Sequence, residues 1–173
     1  FLGSILLSEW VGFDNFKYFF MSDNILLLLR NTVCYSLVFL VLGIVVPVTF
    51  ALLINEIYSR RKAKAYQTMM FLPRFLSWVI VAYFTYALLQ TDRDLINRIL
   101  VALGKEKVMW YNTPTFWPFF LTAMNVWKST GNGMVVYLAA IAGIDKELYD
   151  AAAVDGASKF KQAIYVTLPC IRV

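Results

Sequence analysis

Few residues in this 173-residue chain are equipped for bond chemistry. His is absent, which removes the commonest acid–base side chain and the commonest metal ligand. No His-containing zinc motif and no G-x-S-x-G segment occurs. Asp92 and Asp94 alternate in a polar stretch, a pattern too generic to mark a catalytic pair. Cys34 and Cys170 lie far apart, and their spacing fits neither a metal site nor a disulfide framework, so both are expected as free thiols. No catalytic residue, metal site or cofactor is expected on this chain. What the sequence does offer is one cation in a long apolar stretch. Lys128 stands among Asn125, Trp127, Ser129, Thr130 and Asn132, and Gly131 and Gly133 are expected to loosen the helix there.

A second polar run is patterned. Asp145 is placed to cap a short helix over 146–155 by offering its carboxylate to free backbone N–H groups. Gly156 can adopt a positive φ at little cost, so it can end that helix and turn the chain. Ser158 can cap a second helix. Phe160, Ile164 and Leu168 follow at one-turn steps on one face of it. Pro169 disfavours helix at Leu168 and is expected to stop it there. The expected product is a bent helical pair whose first arm carries Ala151, Ala152 and Ala153, with Ala157 just past the bend. A plain surface helix-turn-helix with high Ala propensity has the same pattern.

The elements around these residues must sit in a bilayer. The chain is 60% apolar and 17% aromatic, with a mean hydropathy of +0.63, far greasier than a soluble domain of this size. The fold class expected is all-α, a fragment of a polytopic transmembrane helical bundle. Its net charge of +5 suits anionic lipid headgroups. No basic stripe with base-stacking aromatics appears, so nucleic acid is not an expected partner. The segment 1–24 is too broken by charge to span, and its stretch 10–16 reads as aromatic chain at a membrane interface. Residues 25–55 read as a first span, with Gly43 and Pro47 interrupting it. Residues 56–67 read as a cytoplasmic loop carrying Arg60, Arg61, Lys62 and Lys64. Residues 68–91 read as a second span that Pro73 kinks or starts. In the outer connection, 92–114, Leu95, Ile96, Ile99, Leu100 and Leu103 form an apolar stripe with Asp94, Asn97 and Arg98 opposite. Residues 115–142 read as a third span with Lys128 near its middle, where a charge should face protein or water. The absence of an initiator Met and of a signal peptide suggests an internal fragment of a longer protein.

The stretch Asp150-Ala151-Ala152, three residues, Gly156, nine residues, Val166-Thr167-Leu168-Pro169 resembles the EAA loop of ABC importer permeases, E-A-A-x3-G-x9-I-x-L-P. Asp155-Gly156-Ala157-Ser158 and Glu147-Leu148-Tyr149 are similar to the sugar-importer branch. Asp150 stands in place of the usual Glu and reaches one methylene less far, and Val166 stands in place of Ile.

The resemblance implies a multi-pass protein of the bacterial cytoplasmic membrane and a transport subunit, not an enzyme. Its order of crossings would run outside, in, out, in, with 145–169 as a cytoplasmic helix-Gly-helix coupling loop. Implied partners are an ABC ATPase subunit that binds ATP and Mg, a second homologous permease, an extracellular solute-binding protein, a carbohydrate substrate and the lipid bilayer. Coupling residues by this resemblance are Asp150, Ala151, Ala152, Asp155, Gly156, Ala157, Leu168 and Pro169. Asn31, Asn125, Trp127, Lys128 and Asn132 are candidates for the substrate path, with Lys128 either part of a platform for sugar hydroxyls or paired with a carboxylate on a segment outside this sequence. Other readings are an importer for another solute, a channel or scaffold without ATP coupling, and an intramembrane enzyme, for which the required side chains are missing.

Overall fold

The computed structural model describes residues 12–21, 24–90 and 95–171, and every regular element among them is helical. The chain divides into two units, 1–37 and 38–173.

In the first unit, α1 (Asp14–Met21) is a short helix. Asp14 accepts from Lys17 Nζ at 2.8 Å, and Phe16 and Phe20 are exposed. Part of the expected interfacial stretch 10–16 lies outside the described residues. The long helix α2 (Ile25–Asn55) starts in this unit and continues into the second. Its bounds are those expected. At 1.5 Å per residue it is about 46 Å long, more than a hydrocarbon core requires. It is the one described helix that is by itself long and apolar enough to cross a membrane.

Gly43 and Pro47 do not interrupt α2. Pro47 is buried, and its ring lies against Gly133 of a later helix, where an added Cβ would approach the ring carbons to 3.0 Å. The proline costs a backbone hydrogen bond, and close packing offsets that cost.

The expected loop 56–67 and span 68–91 are divided differently. Helix α3 (Arg60–Phe71) takes up most of the loop. It passes through a 3-10 turn, Leu72–Phe75, and the chain restarts as α4 (Trp78–Leu89) after a bend of 92°. Pro73 has no N–H to continue the helical ladder, and Ser77 seeds the restart by accepting from Ile80 N at 3.2 Å. A single straight helix over 68–91 is therefore excluded.

Helix α5 (Leu95–Ala102) is a short helix within 92–114, and of its expected polar face Arg98 is exposed while Asn97 is not. Asn97 is only 1% exposed. Its amide donates to the Val108 carbonyl and accepts from the Val108 N–H, both at 2.9 Å. It clamps the chain that follows the helix, while Leu95, Ile99 and Leu103 face outward. Asp92 and Asp94 lie outside the described residues.

Helix α6 (Phe116–Ala142) is unbroken through Gly131 and Gly133. These glycines are contact points. A Cβ on Gly131 would overlap the Met70 carbonyl oxygen and lie 2.7 Å from Phe71 Cα. The helices touch backbone to backbone there, as small residues permit in membrane bundles. The core of the second unit is Ala51 and Ile54 of α2, Met134 and Ile141 of α6, and Ile171. An aromatic cluster of Trp110, Tyr111, Phe116, Trp117 and Phe120 gathers at the start of α6, with ring centroids 4.9–5.9 Å apart.

Candidate functional site

The elbow begins at Asp145, whose carboxylate accepts from Glu147 N at 3.0 Å and opens α7 (Lys146–Val154). The helix ends at Asp155, and Gly156 takes φ 76°. Ala157 N then donates to Ala152 O at 2.9 Å and Gly156 N to Ala153 O at 3.0 Å. This pair of bonds is a Schellman closure, which satisfies carbonyls that the helix end would otherwise orphan. Ser158 accepts from Lys161 N and opens α8 (Lys159–Gln162). Both caps and the glycine turn fall where the sequence placed them.

The second arm does not end at Leu168. It passes through a π turn, Ala163–Thr167, into α9 (Leu168–Cys170). Pro169 clashes with the carbonyl four residues back only in regular α geometry. Widening the preceding turn carries the chain past the proline without a stop.

Buried polar groups hold the arms together. Thr167, 3% exposed, directs its hydroxyl toward the Gln162 carbonyl at 3.4 Å, and its oxygen receives the Tyr149 hydroxyl at 2.9 Å. Gln162, also buried, donates from Nε2 to Ala157 O at 3.3 Å. Tyr149 comes from α7, so the bond to Thr167 spans the elbow. Both residues stand in the patterned run, yet nothing in their spacing announces the bond, because it needs the Gly156 turn to form.

The outer side of the elbow is open. Asp150, Ala151, Asp155 and Gly156 are exposed, with Ala152 and Ala157 half-buried. Val154 is 88% exposed and Phe160 74%. Acidic and apolar groups are therefore both uncovered on the elbow. Beside it, Asn55, Glu56, Ile57, Tyr58, Tyr149 and Lys159 line a cavity of about 360 Å³. Leu168 and Pro169 lead to Ile171, which reaches the core beside Ala51, Ile54, Met134 and Ile141. The elbow is thus rooted directly between α2 and α6.

The polar residues of α6 are spread over its circumference. By the helical period, Asn125, Lys128 and Asn132 lie within roughly 60° of one another. The packed face, Thr130, Gly131, Met134 and Ile141, points elsewhere. Thr122, Ser129 and Thr130 return their hydroxyls to carbonyls of their own helix. The Asn125 and Asn132 amides bond to no other described residue. Trp127 faces a different side, lining an apolar cavity of about 400 Å³ with Leu76, Val81, Phe84, Phe120 and Met124. Lys128 has partners within the chain. Its ammonium donates to the Arg74 carbonyl at 3.2 Å and lies 5.2 Å from the Trp78 ring centroid. It thereby caps the carbonyl freed where α3 breaks into α4. Asn31 belongs to the first unit, half-buried, and accepts from the Arg30 guanidinium at 3.4 Å.

Residues 43–172 match the family model described as binding-protein-dependent transport system inner membrane component. The chain is 39% identical over 173 residues to the polygalacturonan/rhamnogalacturonan transport system permease protein YteP of Bacillus subtilis, covering 99% of this chain and 53% of the relative. It is 37% identical to protein LplB of Bacillus subtilis, covering 95% of this chain and 52% of the relative. The fold matches a crystal structure of a bacterial ABC transporter involved in the import of the acidic polysaccharide alginate, with TM-score 0.86, 36% identity, and coverage of 98% of this chain and 59% of that one. The chain spans about half the length of these curated relatives. It is all-helical in its described residues, a stretch of a polytopic helical bundle, and it belongs to the family of binding-protein-dependent transport system inner membrane components.

Proposed function

We propose that the chain is the membrane-spanning subunit of an ABC importer for carbohydrate, most simply an oligosaccharide, in the cytoplasmic membrane of a bacterium. ATP and Mg are bound by a separate ATPase subunit, and this chain receives the motion. The observation that carries the reading is the elbow, internally bonded and open on one side, with its exit rooted in the core. Asp150, Asp155, Val154 and Phe160 supply charge and apolar surface for the ATPase, and Ala151, Ala152 and Ala157 allow close approach. Gly156 fixes the angle between the arms. Leu168 and Pro169 pass displacement to Ile171 and so to α2 and α6, which rock and change the side to which the path opens.

Relatives named for arabinooligosaccharides and for polygalacturonan or rhamnogalacturonan support the carbohydrate class. The related alginate transporter has been crystallised in complex with an alginate pentasaccharide-bound periplasmic protein, which supports an extracellular solute-binding protein as partner. A second, homologous permease completes the pathway. Asn125 and Asn132, with uncommitted amides, are the side chains of α6 best suited to sugar hydroxyls, with Lys128 bordering them. Asn31 and Trp127 remain candidates from other faces.

The test is uptake by the full complex in proteoliposomes. Asp150→Lys should insert and assemble normally yet lose ATP-driven sugar uptake. Crosslinks from Asp155→Cys should capture the ATPase. Normal uptake together with no capture overturns the assignment of the elbow. A nucleotide-independent flux would instead favour a channel.

A further inference from the structure

We propose that the break between α3 and α4 receives the carboxylate of an acidic oligosaccharide, with Arg74 and Lys128 as its cations and Trp78, Asn125 and Asn132 holding the sugar beside them. The proposal rests on the permease reading and names the class of sugar that it carries. The Lys128 ammonium bonds the Arg74 carbonyl at 3.2 Å, so the second cation belongs to the residue that the first one touches. Arg74 is exposed and forms no ion pair among the described residues, nor does Lys128. Along α6, Lys128 lies roughly 18 Å from Phe116 and roughly 21 Å from Ala142. Both ends of a span that long stand in the headgroup regions, so no headgroup reaches its middle.

Two cations at that depth call for an anion. The helix ends at the break do not provide it. The turn that closes α3 contributes about half a negative charge and the start of α4 about half a positive one, and these offset each other. No Asp or Glu occurs in α3, in Leu72–Phe75, in α4 or in α6. Donors remain for a ligand. An ammonium has three N–H groups, and Lys128 directs one of them at the Arg74 carbonyl. The Arg74 guanidinium offers a planar fork that fits a carboxylate. The neighbours suit a sugar. Asn125 and Asn132 stand one turn before and one turn after Lys128, with amides that bond to no other described residue. Trp78 is 53% exposed, and the ammonium lies 5.2 Å from its ring centroid. The indole offers an apolar face to the C–H surface of a pyranose. A neutral sugar would engage the amides and the ring but leave both cations unanswered. An inorganic anion would answer the cations alone. A uronate-bearing sugar engages all five residues.

The experiment follows ATP-driven uptake by the full complex, with its solute-binding protein, in proteoliposomes of neutral lipid. The probes are labelled trigalacturonate, its methyl ester, which keeps the rings and loses the charge, and maltotriose as a neutral sugar of equal length. Every variant meets the same solute-binding protein, so a changed ratio belongs to this chain. Trigalacturonate uptake should exceed that of the ester by roughly ten-fold or more. Arg74→Gln and Lys128→Gln should each cut that ratio by roughly five-fold or more, and Lys128→Arg, which restores a cation, should hold it near the parent value. Equal or greater uptake of the ester by the parent overturns the proposal. So do Gln variants that slow acid and ester alike, which would assign the cations to a carboxylate of a neighbouring protein segment. Uptake of maltotriose with none of trigalacturonate also overturns it and leaves the permease reading standing. ATP-driven uptake of none of the three counts against the permease reading. In that case calorimetric titration of trigalacturonate onto the purified complex decides on the site. It should bind roughly ten-fold more tightly than the ester and fall to the ester's level in Arg74→Gln, and equal affinities in the parent sink the proposal.

Discussion

The elbow at Gly156 and the bend at Pro73 both interrupt helical structure, and they are sealed on opposite principles. The elbow closes itself. Its Schellman bonds, its two caps and the Tyr149–Thr167–Gln162 bridge all lie between Asp145 and Thr167. The bend is closed by another helix. Lys128 covers the Arg74 carbonyl, and Gly131 admits the Met70 backbone, both from α6. A self-sealed break can be pushed as one body with its outer face free. A break sealed by a neighbour holds its angle only while that neighbour stays in place. On the function proposed above, the elbow would be the part that receives force and the bend the part that changes arrangement.

The contrast can be broken at either end. The largest effect is expected for Gly131→Leu, which drives a side chain into the α3 backbone. Overpacking of this kind costs about 3 kcal/mol or more where backbone cannot yield, and thermal unfolding in detergent should show loss of the folded subunit. Lys128→Met should cost less, about 1–1.5 kcal/mol for a charge-assisted bond that is exposed. Hydrogen exchange should rise at Leu76 and Ser77 and stay unchanged in α7. Next comes Gly156→Ala, which forces a Cβ into left-handed backbone at about 1 kcal/mol. Amide exchange should rise at Ala157, whose N–H closes the turn, with no change at the bend. Tyr149→Phe, losing one bond across the elbow, should cost about 1 kcal/mol and speed exchange within Ala163–Thr167. Should Tyr149→Phe loosen the bend as much as the elbow, the two breaks are not independent. Asp150→Lys is expected to have the smallest effect on stability, within about 0.5 kcal/mol for an exposed site, although uptake should be lost.

The same distinction explains how far the sequence could be read. The elbow was legible because its determinants are local. A capping carboxylate, a glycine and a capping serine each act within a few residues of where they stand. The bounds of α2 and α6 were legible for a similar reason, as long apolar runs between polar ends. The bend was not, since Pro73 announces an interruption without saying how the chain resumes, and the groups that seal it come from more than fifty residues away. Asn97 shows the limit of periodicity. The helical wheel places it opposite the apolar stripe, but only the fold reveals that Val108 returns to fill that side. Gly131 and Gly133 look like weak points in isolation and become contacts once α3 and Pro47 lie against them.

The π turn at Ala163–Thr167 has a consequence for length variation. A widened turn accommodates one residue more than regular helix needs, so the helix beyond it emerges with its side chains in phase with the part before. Deleting one residue elsewhere in a helix swings everything downstream by about 100°. Deleting one here should instead collapse the turn to ordinary α geometry and keep the phase beyond it, provided that Pro169 is replaced as well, since its ring would otherwise meet the carbonyl four residues back. The widened turn and the proline beyond it thus form a pair, and the gene could lose a codon here only if it changed the proline codon too.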